Sequence, residues 1–196
     1  MNRKAIISRK TNETDISVDL NIDGTGKRTI DIPIGFLTHM LDLLSKHGMF
    51  DLSIKARGDT NIDEHHTVED IGIVLGEAFA KALGDKKGIS RYGFFILPMD
   101  EAVATVAVDF AGRYAFTLDC PFSREKVGDL PTELVYDFWD AFAQNAKVNL
   151  FIKVENGRND HHKIEGVFKA TARAIRMACG WDERAINQLP STKGTL

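Results

Sequence analysis

Alternating apolar and polar positions mark strands along this chain: Ile16, Val18, Leu20 and Ile22, then Ala104, Val106 and Val108, then Val148, Leu150, Ile152 and Val154. Period-two patterning turns one face of a strand to a core and the other to water. It predicts sheets covered by helices on one side. Helical spacing takes over elsewhere, with Phe36, Met40, Leu43 and Leu44 in one stretch and Ile71, Val74, Leu75, Ala78 and Leu83 in another. Gly48 and Gly84 are read as their C-terminal stops. The same periodicity predicts matching helices over about 134–146 and 164–179.

These patterns come in duplicate. Asp63-Glu64-His65-His66-Thr67-Val68-Glu69 recurs 96 residues later as Asn159-Asp160-His161-His162-Lys163-Ile164-Glu165. Asp31-Ile32-Pro33 recurs as Asp129-Leu130-Pro131, and Asp51-Leu52-Ser53-Ile54-Lys55 as Asn149-Leu150-Phe151-Ile152-Lys153, both after 98 residues. Each half reads strand, strand, helix, strand, loop with HHxxE, long helix. The expectation is an α+β fold of internally duplicated β-β-α-β-α units. One domain would consist of two fused repeats, about 1–90 and 91–182, and a C-terminal tail at 183–196.

Composition narrows the function classes. At 196 residues and 43% hydrophobic, the chain is long enough for a substantial core. A net charge of -3 offers no general attraction to nucleic acid or acidic membranes. The amino terminus, MNRKAIISRKTNETD, has no apolar stretch of signal-peptide length, so the cytoplasm is the expected location. Cys120 and Cys179 have no CxxC spacing and read as reduced core thiols.

All six histidines fall in three short stretches, His39 with His47, His65 with His66, and His161 with His162. At a helix start, His65 and His66 stand four and three residues before Glu69, which brings nitrogen and oxygen donors to one side. Neighbouring histidines point about 100° apart on a helix, so His65 and His66 are expected to serve different ions. A lone HHxxE is more often a solvated helix start than a ligand set. Two copies in equivalent places reverse that balance. Imidazole with carboxylate suits manganese, iron, cobalt or zinc, and the absence of cysteine ligands argues against a closed structural zinc site. His39 and His47 lie about 12 Å apart along one helix and cannot share an ion. His39 is a ligand or a hydrogen-bonded core histidine, and His47 a substrate contact or a partner of free helix-end carbonyls.

HMLDLLSKHG at 39–48, GDTNIDEHHTVEDIG at 58–72, GISRYG at 88–93, LPMDEA at 97–102, GRNDHHKIE at 157–165 and PSTKG at 190–194 together resemble the imidazoleglycerol-phosphate dehydratase family. The resemblance runs from about Arg9 to the end, and it implies a lyase of histidine biosynthesis. It implies His39, His65, His66, Glu69, His161, His162 and Glu165 as ligands of Mn2+, two ions per active site. His39, His66, Glu69, His162 and Glu165 are then part of the catalytic set with Glu13, a substrate-contacting carboxylate. Arg91, Arg113 and Lys193 are implied as phosphate-binding cations, with Ser191 and Thr192 beside Lys193 in a tail able to fold over phosphate. The family further implies a homo-oligomer, a trimer-based cage of 24 subunits with shared active sites. Asp137 stands where some members have a further histidine and is the repeat equivalent of His39. A phosphatase domain fused to some relatives, and its second activity, are not expected here.

The implied reaction dehydrates D-erythro-imidazole-glycerol phosphate to imidazole-acetol phosphate. No carbonyl neighbours the carbon that loses its proton, so the imidazole ring must supply the electrons that expel hydroxide, through a diazafulvene-like intermediate. One ion would bind a ring nitrogen while the second orients the hydroxyls, and Glu13 or a metal-bound water would transfer the proton. Two rival readings are a metallohydrolase acting on simple phosphate esters and a non-catalytic shell joined by histidine clusters.

Overall fold

The computed structural model describes residues 3–196. Its first half runs β1 (Lys4–Lys10), β2 (Thr14–Asn21), β3 (Arg28–Asp31), α1 (Gly35–Gly48), β4 (Asp51–Gly58) and α2 (His65–Leu83). Its second runs β5 (Tyr92–Met99), β6 (Ala102–Asp109), β7 (Ala115–Asp119), a short hairpin of β8 (Lys126–Val127) and β9 (Leu130–Pro131), α3 (Leu134–Ala146), β10 (Asn149–Asn156) and α4 (Asp160–Cys179).

The two main sheets share a topology. Their strand orders are β1-β2-β4-β3 and β5-β6-β10-β7, antiparallel except at the last pair, where β3 and β7 lie parallel to β4 and β10. The α+β class and the repeated β-β-α-β-α order are borne out, and each half adds one edge strand. Both edges are short, and their parallel partners lie beyond an intervening helix. β3 carries little alternation, whereas β7 alternates, with Phe116 and Leu118 half-buried between exposed neighbours, over only five residues.

Burial alternates along β2 and β4, and along β6 and β10, as strands covered on one face require. Helix α2 covers β1 and β2, α4 covers β5 and β6, and the helices meet each other in the pairs α2 with α3 and α1 with α4. Four layers result, sheet, helices, helices, sheet. Gly72 and Gly76 allow α2 and α3 to approach closely, because a Cβ at either position would lie 2.6 Å from the carbonyl oxygen of Phe138 or Phe142. One core spans both halves. An aromatic chain threads it, Phe50–Phe79 at 5.2 Å between centroids, Phe79–Phe142 at 5.5 Å, Phe142–Trp139 at 5.6 Å and Trp139–Phe168 at 4.8 Å.

Helix ends refine the sequence reading. Gly84 follows α2 as expected, but Gly48 is the last residue of α1 and Met49, at φ 59°, takes the left-handed position. Glycine is required at 48 for room, since a Cβ there would lie 2.1 Å from the Phe50 ring. Helix α4 begins at Asp160, four residues before the expected start, because the Asn159 side chain caps it by accepting from the His161 N–H at 3.0 Å. The open face of the second sheet is apolar, with Tyr92, Phe94, Ile96 and Phe151 exposed, whereas that of the first carries Asp15, Asp19, Lys55 and Arg57. No helix is long and apolar enough to cross a membrane among the described residues.

Candidate active site

Each HHxxE motif opens a long helix, so its two imidazoles diverge. The first histidine of each pair turns toward a helix of the opposite half. His161 Nε2 lies 3.1 Å from Glu165 Oε2, and His39 Nε2, on α1, lies 3.4 Å from the same oxygen. These three residues offer donor atoms all within 4.8 Å of one another. In the other half the gathering is looser, with His65 Nε2 4.0 Å from Glu69 Oε2 and His65 Nδ1 3.9 Å from Asp137 Oδ2 on α3.

The second histidine of each pair faces a strand turn of its own half. His66 Nδ1 is 3.1 Å from Asp59 and 3.8 Å from Glu13, forming a second cluster of potential ligands. His162 Nδ1 is 2.7 Å from Glu101 Oε2, and its Nε2 is 3.4 Å from Asp100. Glu13 lies between β1 and β2 and Asp100-Glu101 between β5 and β6, so the two halves present carboxylates at the same topological place. The divergence expected from adjacent helical positions is therefore realised.

Several contacts fix these groups. Asp70 on α2 accepts from Arg9 Nε at 3.0 Å and from the Thr14 hydroxyl, tying the Glu13 turn to the helix that carries His66. Asp129, in the second half, accepts from the Gly35 and Phe36 N–H groups at 2.6 and 2.9 Å, capping α1 one turn before His39. Asp160 is fully buried beside His161 and accepts from Ser123 N, Arg124 N and Lys163 Nζ at 2.8, 2.8 and 2.9 Å. Breaking such a pair strands a buried charge, so Asp160→Ala is expected to lower stability by about 3–5 kcal/mol in denaturant unfolding. A loss below about 1 kcal/mol would show that the pair contributes little beyond a surface ion pair.

Charge follows geometry. Burial alone would raise the Glu165 pKa, but the Lys169 ammonium and the two imidazoles outweigh it and hold this carboxyl below its ordinary value. The hydrogen bond to Asp59 raises His66. The hydrogen bond from His162, with backbone N–H groups of Asn159 and Arg158, lowers Glu101 to about 2. Asp137 moves the other way, pushed up by burial and by repulsion from Glu133 and Asp140.

The implied phosphate cations form a separate group. Arg91 grips Asp109 through two hydrogen bonds at 2.7 and 3.0 Å, and its Nη1 donates to Pro190 O at 2.8 Å, holding the start of the tail. Arg113 and Lys193 are exposed, as is Thr192, and the Lys193 N–H donates to the half-buried Ser191 Oγ at 3.2 Å. The chain end returns to the Arg113 loop, where Leu196 lies against Gly112. No hydrogen bond or ion pair joins this group to the imidazole clusters among the described residues. His47 is half-buried, its pKa lowered by burial and by Lys169 and Arg173.

Asp59, Glu101, Lys169 and Asp129 were not singled out as site residues by the sequence reading. Lys169 carried the clearest signal, one helical turn after Glu165. Asp129 is the repeat equivalent of Asp31, but Asp31 pairs with Arg57 instead of capping a helix, so the repeat alone does not give its role.

Fold and clusters together define a duplicated α+β protein that gathers paired imidazoles and carboxylates at the starts of its two long HHxxE helices. The sequence profile described as imidazoleglycerol-phosphate dehydratase matches residues 32–175. An imidazoleglycerol-phosphate dehydratase of Rhodopirellula baltica is 54% identical over 99% of this chain and 96% of its own length. A histidine biosynthesis bifunctional protein of Spirosoma linguale is also 54% identical over 99% of this chain, which spans 50% of that longer protein. The crystal structure of the imidazoleglycerol-phosphate dehydratase from Staphylococcus aureus superposes with a TM-score of 0.81 at 39% identity, over 91% of this chain and 99% of the other. The chain belongs to the imidazoleglycerol-phosphate dehydratase family, hydro-lyases of histidine biosynthesis.

Proposed function

We propose that this dehydratase converts D-erythro-imidazole-glycerol phosphate to imidazole-acetol phosphate in a metal-dependent reaction, with two Mn2+ ions per site, as a cytoplasmic homo-oligomer. The observation that carries this reading is the convergence of His39, His161 and Glu165 from opposite halves. Ligands at right angles around an ion about 2.1 Å away stand about 3 Å apart. The separations of 3.1 and 3.4 Å suit that arrangement. His65 and Glu69 would hold the second ion, and His66 and His162 have donors to offer as well. The exposed apolar stripe of Phe94, Ile96 and Phe151 supports self-association.

When bound, the ions would favour the imidazolate form of the substrate ring, whose electrons expel hydroxide, and would hold the glycerol hydroxyls. The remaining work falls to the chain's own groups. Glu13 Oε2 takes the proton from the carbon next to the departing hydroxyl. His66, hydrogen-bonded to Asp59 at 3.1 Å, stands 3.8 Å from Glu13. Arg113 and Lys193 are exposed and can meet the phosphate, and Arg91 has two of its five N–H groups left for it after binding Asp109 and Pro190 among the described residues.

Chelator-stripped protein given this substrate is expected to form product only after Mn2+ is restored, with an accompanying increase in particle size by light scattering. Full turnover in chelator would remove metal dependence from the reading. Turnover of simple phosphate esters that lack the ring would point to a hydrolase instead.

A further inference from the structure

We propose that Asp59 and Glu101 are positioning residues for the second histidine of each HHxxE motif: each holds the Nδ1 side of its imidazole, so that Nε2 is the nitrogen offered to a metal ion. The inference rests on the metal dependence proposed above. A neutral imidazole carries its proton on one nitrogen and its free lone pair on the other. A carboxylate fixed beside Nδ1 accepts the N–H there and sets both the tautomer and the plane of the ring.

Both halves meet this requirement. His66 Nδ1 lies 3.2 and 3.1 Å from the two carboxylate oxygens of Asp59, and His162 Nδ1 lies 2.7 Å from Glu101 Oε2. Each carboxylate is itself anchored. The Asp59 N–H donates to Glu13 O at 3.1 Å, and the Asp59 carbonyl accepts from the Ile62 N–H at 2.8 Å. Glu101 Oε1 accepts from the Arg158 and Asn159 N–H groups at 3.0 and 2.7 Å, which ties it to the start of α4. Yet the two are not repeat equivalents. Asp59 follows β4, whereas Glu101 stands between β5 and β6, the place that Glu13 takes in the first half. One contact is thus built by two routes, which chance neighbours would not repeat. It also divides the labour between carboxylates. Glu101 is tied down by three hydrogen bonds, but Asp59 relieves Glu13 of that duty, and the Glu13 carboxylate accepts no hydrogen bond among the described residues, its approach to His66 being 3.8 Å.

Manganese titration of the full-length, chelator-stripped protein reads this without any enzyme assay, with free Mn2+ followed by electron paramagnetic resonance. Asp59→Ala removes the acceptor, and part of the bound manganese is expected to be held about 10- to 100-fold more weakly than in wild type. Asp59→Asn keeps an acceptor oxygen without the charge and should recover most of that loss. Glu13→Gln should bind manganese as wild type does. Unaltered melting of the metal-free variants separates the effect from a fold defect, and if Asp59→Ala melts early, Asp59→Leu, close in volume to the native residue, takes its place. Wild-type affinity in the variant without an acceptor overturns the proposal. An Asp59→Asn protein as weak as Asp59→Ala also overturns it, by making Asp59 a ligand, and so does a Glu13→Gln protein that weakens as much. Each of these leaves metal dependence standing, whereas a wild type that binds no Mn2+ would remove both readings together.

Discussion

Glu13→Gln is expected to lower kcat by about 10²- to 10⁴-fold, the usual contribution of a positioned acid or base. Glutamine keeps the shape and hydrogen-bonding reach of the side chain but cannot take a proton. Glu13 stands on the turn between β1 and β2 and is exposed, so its replacement costs little folding energy. The turn stays in place because Thr11 Oγ1 accepts from the Glu13 and Thr14 N–H groups, both at 3.0 Å. Only the reacting group changes. Steady-state rates should therefore fall in kcat with KM nearly unchanged. Wild-type kcat in the variant would pass the role to a metal-bound water.

Glu165→Ala should act through the cluster it forms with His39 and His161. Losing only the hydrogen-bond partner of a ligand costs about 10- to 100-fold in metal affinity, so removing a proposed ligand is expected to exceed about 100-fold. Glu165 also neutralises Lys169, whose ammonium pairs with it in a largely buried setting. The alanine variant thus strands a charge, and Glu165→Gln does so while keeping the volume. Both variants should lose manganese by elemental analysis, and alanine should also melt at a lower temperature. Retention of wild-type manganese content by either variant would remove Glu165 from the ligand set.

The sequence carried what is local. Alternation in β2, β6 and β10 and the helical spacing in α2 fixed element types, and the repeated HHxxE placed both motifs at helix starts. Adjacency alone foretold that His65 and His66 would face different ways. Partners brought in from a distance were hidden. Arg91 shows in sequence only that it is a cation, and its bond to Asp109 depends on β5 and β6 pairing. Asp59 lies seven residues before His66 in a loop whose path no periodicity records. Lys169 was visible in principle, but lysine four residues after glutamate is common on any solvated helix face.

Asp129 caps α1 from the other half, and His39 on that helix completes a cluster with His161 and Glu165. Neither half owns this cluster, so separating them takes it apart. An ion seated there would act as a rivet across the seam, adding its binding free energy to whatever holds the two sides together. Resistance to heat would then track the free metal concentration, and starvation for that metal would loosen the protein as well as silence it.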